Sequence, residues 1–261
     1  MQIEVIIEKK SHKLNAEEGK TILETLQEHG IHVLTAPCGG RGRCGKCTVE
    51  VEHMGEVLAC MTKVTDGMRI TIPEVQLRAQ KSKIAENGTV THYPADDGEG
   101  LDAACDIGTT TVVCHLIDGK TGEKLATVSE PSAQRSFGAD VLSRIQAAEA
   151  GKLEILKEQI IFQIAQMLRT LQKKTGRGEQ IQRLAVVGNT VMCHLFAGIS
   201  PVSIGVTPFM PQEFFGKEYT GEQLGLTDCR SVYIAPAVAG FVGGDITSDL
   251  LAVMQKKPKD K

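Results

Sequence analysis

Four of the eight cysteines lie close together, with the spacing Cys38-x5-Cys44-x2-Cys47-x12-Cys60. Thiolates are soft ligands that bind zinc or iron, and clustered thiols in a reducing compartment indicate a metal centre. The other four cysteines are isolated in the sequence, and we interpret them as ordinary buried thiols. They are Cys105, Cys114, Cys193 and Cys229.

The spacing of the cluster favours iron over zinc. A structural zinc site usually has two C-x2-C pairs, and here only Cys44 and Cys47 form one. Three ligands in one glycine-rich loop and a fourth after a strand follow the C-x4-C-x2-C…C pattern of plant-type ferredoxins, with one more residue in the first gap. The loop glycines let the backbone direct N–H groups at sulfur. The sequence therefore predicts a 2Fe–2S cluster, with a zinc site or an empty thiol loop as alternatives.

Three basic residues, Arg41, Arg43 and Lys46, occupy the same loop. Cationic side chains around a redox centre can steer an acidic partner to it. The loop is therefore a candidate docking patch for a redox partner. The alternative is that these side chains are simply solvated surface charges.

A second candidate site lies at Asp106-Ile-Gly-Thr-Thr-Thr111. The backbone N–H groups of Gly108, Thr109 and Thr110 can point into one concavity and hold phosphate oxygens. The Asp106 carboxylate can hold a hydrated magnesium ion. The hexapeptide therefore predicts a magnesium–phosphate site, and the alternative is an ordinary hairpin turn.

The elements that position the cysteines span residues 1–75. Residues 2–8 alternate between apolar and polar, and 12–16, 48–52 and 69–72 are further predicted strands. Thr21 and Glu24 form a capping box that begins a helix. This pattern predicts a small α+β unit in which a helix crosses a sheet.

Residues 76–100 are poor in apolar side chains and end in turn formers and acids, so they are predicted to be a linker, with a short helix over about 74–84. The last residues, 256–261, form a polar tail.

Residues 101–255 are predicted to form a second domain. Three antiparallel strands joined by tight turns come first, and a helical pattern covers about 139–174. A strand, a helix, a strand and a helix follow. Their predicted positions are 184–187, 190–197, 232–235 and 247–254.

Three polar residues of this domain have two interpretations each. Asp140 and Arg144 lie one helical turn apart and form either a surface ion pair or part of a nucleotide cleft. Asn189 either caps the helix that follows it or contacts a ligand.

Composition excludes several classes of function. Hydrophobic residues make up 41% of the chain, which is enough for a core. The net charge of −3 and the absence of Trp argue against nucleic-acid binding. No apolar run approaches the length of a membrane span, and the N-terminus does not resemble a signal peptide, so a cytoplasmic protein is expected.

The cysteine loop and its flanking elements resemble the adrenodoxin-like ferredoxins, whose fold is a β-grasp. The Asp106–Thr111 segment resembles the first phosphate segment of the actin, sugar-kinase and heat-shock chaperone ATPases. Together with Phe137–Ile145, Val187–Met192 and Ala239–Ile246, the combination resembles the reductive activators of corrinoid proteins. The implied fold class is α+β and α/β: a β-grasp ferredoxin domain, a linker, and one ribonuclease-H-like, actin-type ATPase lobe.

The resemblance implies a function. Family members use ATP to drive the transfer of one electron to a corrinoid protein, or to a corrinoid-dependent methyltransferase, and return inactive Co(II) to Co(I). An electron donor is then a further partner. Asp245 becomes a cleft candidate, because a Gly-Asp at the end of the first lobe of sugar kinases faces the cleft; an N-cap is the alternative.

The chain departs from this family in two respects. The sequence contains one phosphate turn and lacks the adenosine-contacting glycine-rich segment, whereas the superfamily builds its site between two lobes. The linker also leads almost directly into the first lobe, where the corrinoid activators can carry a further domain. We expect a fragment, a truncated product or one subunit of a split enzyme, with the missing lobe on a second chain, and whether the chain alone is an enzyme stays open. Magnesium–ATP is expected to bind it weakly or not at all. The alternative is a ferredoxin fused to a catalytically silent docking or regulatory domain.

Overall fold

The structure, a computed structural model, describes residues 1–31, 33–74 and 98–255. Most of the predicted linker, nearly all of the predicted helix at 74–84 and the polar tail lie outside these residues. The described chain divides into two compact units. The first contains residues 1–74 together with Ala133–Ala147, and the second contains residues 98–132 and 148–255.

The first unit is built on a five-stranded sheet with the order β2-β1-β5-β3-β4. The strands are β1 (Gln2–Ile7), β2 (Lys10–Asn15), β3 (Thr48–Val51), β4 (Gly55–Leu58) and β5 (Arg69–Thr71). β1 pairs parallel with β5, and the other neighbouring strands are antiparallel. β4 was not predicted, because it is short and no residue in it is fully buried.

Helix α1 (Ile22–Glu28) covers this sheet and closes its core. The predicted capping box is confirmed: the Glu24 N–H donates to Thr21 Oγ1 at 3.2 Å, and Glu24 Oε2 accepts from the Thr21 N–H at 2.9 Å. Ile22 and Leu26 are completely buried. The result is the ferredoxin-like unit that the sequence predicted.

A segment from much later in the sequence completes the first unit. It consists of a 3-10 turn (Ala133–Ser136) and helix α2 (Val141–Ala147). The sequence predicted a helical pattern over about 139–174, but the backbone is interrupted at Gly151, whose φ of +83° is incompatible with a right-handed helix.

The second unit is built on a six-stranded sheet with the order β10-β11-β9-β6-β7-β8. The strands are β6 (Leu101–Ile107), β7 (Thr111–Asp118), β8 (Lys124–Pro131), β9 (Ile181–Gly188), β10 (Lys217–Thr220) and β11 (Cys229–Ile234). The first three form the predicted antiparallel meander, whereas β6, β9 and β11 are parallel. The mixed α/β class is therefore confirmed. Strand β10 is mostly polar and was not predicted.

Among the described residues, four α-helices accompany this sheet: α3 (Leu153–Thr175), α4 (Thr190–Ala197), α5 (Gly221–Leu224) and α6 (Gly244–Gln255). Helix α3 packs on β7 and β8 through a buried apolar stripe that includes Leu156, Ile160 and Ile164. Helix α6 packs against β9. None of the helices in the described ranges has the length and apolar character needed to cross a membrane.

Candidate functional site

The loop that connects α1 to β3 carries Cys38, Cys44 and Cys47, and Cys60 follows β4. Because β3 and β4 are paired, Cys47 and Cys60 meet at one end of this hairpin, where the Ala59 N–H donates to the Cys47 carbonyl at 2.9 Å. Both residues are buried in the core. Cys38 and Cys44 lie on the more exposed side, with their Sγ atoms 3.3 Å apart. The four thiols thus form two pairs.

Backbone N–H groups of the loop approach the sulfur of Cys38. Burial alone would raise the pKa of the Cys38 thiol, but the Cys44 thiol and the N–H groups of Cys44, Arg43 and Arg41 outweigh it and lower that pKa to about 6. Burial, reinforced by the neighbouring Cys47 thiol, raises the pKa of Cys60 to about 12, although the Gly42 N–H opposes it. Amide donors aimed at sulfur stabilise negative charge there.

This donor set fits a two-iron cluster. Two thiol pairs with amide donors beside them are what a 2Fe–2S core needs, because four thiolates serve two irons and hydrogen bonds to sulfur tune the potential.

All three basic candidates for partner docking are exposed on the loop. The Arg41 guanidinium donates to Gln146 Oε1 of α2 within the same unit. Arg41 is therefore both an exposed charge and a link to α2. Arg43 and Lys46 are exposed charges that lie just before and just after Cys44 in the sequence.

The phosphate candidates lie at the carboxyl ends of two neighbouring parallel strands. Asp106 is near the end of β6, and Gly108, Thr109 and Thr110 form the turn to β7. β9 ends beside it, since Ile107 pairs with Gly188. Asn189 is confirmed as the N-cap of α4, since its Oδ1 accepts from the Met192 N–H at 3.0 Å. Its Nδ2 also donates to Thr109 Oγ1 of the turn at 3.1 Å.

Two further carboxylates face Asp106 from the start of α6. Burial and the negative charges of Asp245 and Asp249 raise the pKa of Asp106 to about 6. Asp245 lies in the first turn of α6 and accepts from the Ile246 N–H at 2.9 Å. The sequence analysis missed Asp249. Its position one helical turn after Asp245 is the signal that could have identified it.

The start of α6 lies near Asp106 because the backbone at Gly243 packs directly against the end of β9 and the start of α4. A Cβ on Gly243 would lie 2.4 Å from the Thr190 nitrogen and 2.5 Å from the Gly188 carbonyl oxygen. Only glycine permits this contact. Asp106, the Gly108–Thr110 turn and the first turn of α6 therefore lie near one another at the carboxyl ends of β6 and β9.

The structure contradicts the surface ion pair predicted for Asp140 and Arg144 and confirms the burial predicted for the four cysteines outside the cluster. Arg144 is completely buried, so a surface ion pair with Asp140 is wrong; its guanidinium donates instead to the Gly138 carbonyl at 3.1 Å and to Gln134 Oε1 at 3.3 Å. The four isolated cysteines are all buried, as predicted.

The fold and these sites define a class of protein: an iron–sulfur, ferredoxin-type unit joined to a sheet-based unit with a candidate phosphate turn. Comparison with known proteins supports this class. Residues 4–74 match the 2Fe-2S iron-sulfur cluster binding domain, and residues 101–257 match the RACo middle region. The latter match covers more than half of the chain, and the chain belongs to the RACo middle-region family.

Two of the matching proteins are described as corrinoid activators. The corrinoid activation enzyme RamQ of Eubacterium limosum is 27% identical to this chain over an alignment of 307 positions. The alignment covers 87% of this chain and 51% of that protein. A solved structure described as a reductive activator for corrinoid, iron-sulfur protein aligns over 96% of this chain and 57% of its own, with a TM-score of 0.57 and 24% identity, and shows a similar fold. The chain spans about half the length of the curated relative it matches.

Proposed function

We propose that this chain is the electron-transferring part, with the first nucleotide-binding lobe, of an ATP-dependent activator that reduces Co(II) corrinoid proteins to Co(I). One observation carries the proposal: two thiol pairs with amide donors occupy a ferredoxin-like unit in the same chain as the RACo middle region. The matches to corrinoid activators give the substrate class. A corrinoid protein or corrinoid-dependent methyltransferase is then the electron acceptor, and a separate reductant is the donor.

Cys38, Cys44, Cys47 and Cys60 would hold the 2Fe–2S cluster, which stores and releases one electron. The N–H groups of the loop stabilise negative charge at sulfur, and the core keeps water away from Cys47 and Cys60. Arg41, Arg43 and Lys46 would attract an acidic partner surface to this loop.

The second unit would supply half of a nucleotide site. Asp106 and Asp245 would hold a hydrated magnesium ion, and the Gly108–Thr110 turn would bind phosphate oxygens through its amides. Phosphoryl transfer depends on positioning and charge stabilisation from both sides. A second lobe, on a continuous or separate chain, would therefore be needed for ATP turnover.

The cluster is tested by anaerobic purification followed by iron and sulfide analysis. A brown protein with about two irons and two labile sulfides is expected, since four thiolates serve a 2Fe–2S core. Replacing any ligand by serine should abolish or alter the visible spectrum; these variants are Cys38→Ser, Cys44→Ser, Cys47→Ser and Cys60→Ser. The matched control Cys229→Ser, at a buried thiol of the other unit, should leave it unchanged. A colourless protein with one zinc would overturn the proposal.

The activity is tested by adding a Co(II) corrinoid protein, a low-potential reductant and magnesium–ATP, and following the Co(I) absorption. Reduction is expected once the second lobe is supplied, and Asp106→Ala should abolish the stimulation of this reduction by ATP. Arg43→Glu should slow reduction most at low salt, because docking charges are screened by ions. Reduction at the same rate without ATP, with the second lobe present, would favour a silent docking domain instead.

A further inference from the structure

Residues 133–147, here called the brace, follow strands of the second unit in the sequence but pack with the first unit in the structure. They lie inside the region that matches the RACo middle region, yet they pack into the first unit, with the cysteine loop. The described ferredoxin-like unit is therefore completed by chain that follows the second unit's first three strands in sequence.

The brace touches the loop on both sides of Cys38. The Ala139 N–H donates to the Pro37 carbonyl at 3.3 Å. A Cβ on Gly39 would lie 3.2 Å from the Phe137 carbonyl oxygen, so the two backbones are in direct contact. Two residues further on, the Arg41 guanidinium donates to Gln146 Oε1.

Buried polar contacts hold the brace in one shape and at one place. Gln27 Nε2 of α1 donates to the Ser136 carbonyl at 2.9 Å, and Gln27 is only 5% exposed. The Arg144 guanidinium, completely buried, donates to Gly138 and Gln134. Breaking a buried hydrogen bond leaves an unsatisfied polar group, which costs about 1–3 kcal/mol. These bonds anchor the brace to α1 and link Arg144 of α2 to the segment that precedes it.

We propose that the brace is a positioning element for the iron–sulfur cluster, which holds the backbone around Cys38 so that the N–H groups of the loop stay directed at its sulfur. The proposal rests on the proposed 2Fe–2S function. Groups that orient metal ligands from outside control how tightly the metal is held, and their loss typically costs 10–100-fold in affinity. They also set the potential, because hydrogen bonds to sulfur stabilise the reduced state.

The test uses the full chain, loaded anaerobically, and three variants that change contacts of the brace. Gln27→Ala removes the bond to Ser136, Gln146→Ala removes the acceptor for Arg41, and Gln146→Glu restores an acceptor. Gln166→Ala is the matched control, because it makes the same change at an exposed helical position of the second unit. The readouts are the bleaching rate of the visible absorption in excess chelator and the midpoint potential from a dye-mediated titration.

We expect about tenfold faster bleaching and a shifted midpoint potential in Gln27→Ala and Gln146→Ala. Gln146→Glu should restore both values, and Gln166→Ala should match the unsubstituted chain. Coloured variants with an unchanged bleaching rate and an unchanged potential would overturn the positioning role but not the proposed 2Fe–2S function. Faster bleaching with an unchanged potential would also overturn it, because only stability would then be affected. A colourless parent chain would instead overturn the proposed function.

Discussion

Replacing Asp106 by asparagine should stabilise the second unit at neutral pH and not at acid pH. In the folded chain, burial and the charges of Asp245 and Asp249 disfavour the ionised Asp106 carboxylate and raise its pKa from 3.8 to about 6. In the unfolded chain, the carboxylate ionises near its usual pKa. Ionisation therefore favours the unfolded state, and Asp106→Asn removes this penalty.

The size of the effect follows from the pKa difference. The interval from 3.8 to about 6 corresponds to about 3 kcal/mol, since a pKa difference of one is worth about 1.36 kcal/mol. Asp106 keeps contact with solvent, and screening reduces the expected effect to about 1 kcal/mol. The penalty is absent below the unfolded pKa of about 4, grows as the pH rises to about 6, and is constant above that value.

Thermal unfolding followed by circular dichroism at pH 4 and pH 7.5 measures this difference. At pH 7.5 the midpoint of Asp106→Asn should exceed that of the parent by about 2–4 °C, and at pH 4 the two should nearly coincide. Glu149→Gln, an exposed carboxylate, is the control and should not change the midpoint at either pH. A variant no more stable at pH 7.5, or equally stabilised at both, would refute the electrostatic argument.

Two further predictions concern the same region. Gly243→Ala should lower the thermal midpoint by the equivalent of about 1–3 kcal/mol, because its Cβ would lie 2.4 Å from the Thr190 nitrogen, whereas Gly178→Ala, with open space around it, should not. The chain alone should not hydrolyse magnesium–ATP and should bind it more weakly than about 1 mM by calorimetry, because a half-site leaves the phosphates in water. Sustained hydrolysis by this chain would show that a second lobe is not needed.

The sequence alone determined the features that depend on neighbouring residues. The spacing of the cysteines predicted the cluster ligands, and the Thr21–Glu24 box located α1, because a capping interaction spans only three residues. Strands of both sheets that have a clear alternation or an apolar run were also predicted, because such a pattern is contained within a few neighbouring residues. Short or polar strands such as β4 and β10 were missed, because pairing with neighbours and not their own pattern makes them strands.

Only the tertiary structure decided which distant residues meet. Asp249 joins Asp106 because Gly243 lets α6 approach the end of β9, a contact across more than a hundred residues. Arg144 is buried, although its polarity and helical spacing were compatible with a surface ion pair. The brace reaches the cysteine loop through contacts between residues about a hundred positions apart, and no local pattern encodes them, since they arise from the packing of complete elements.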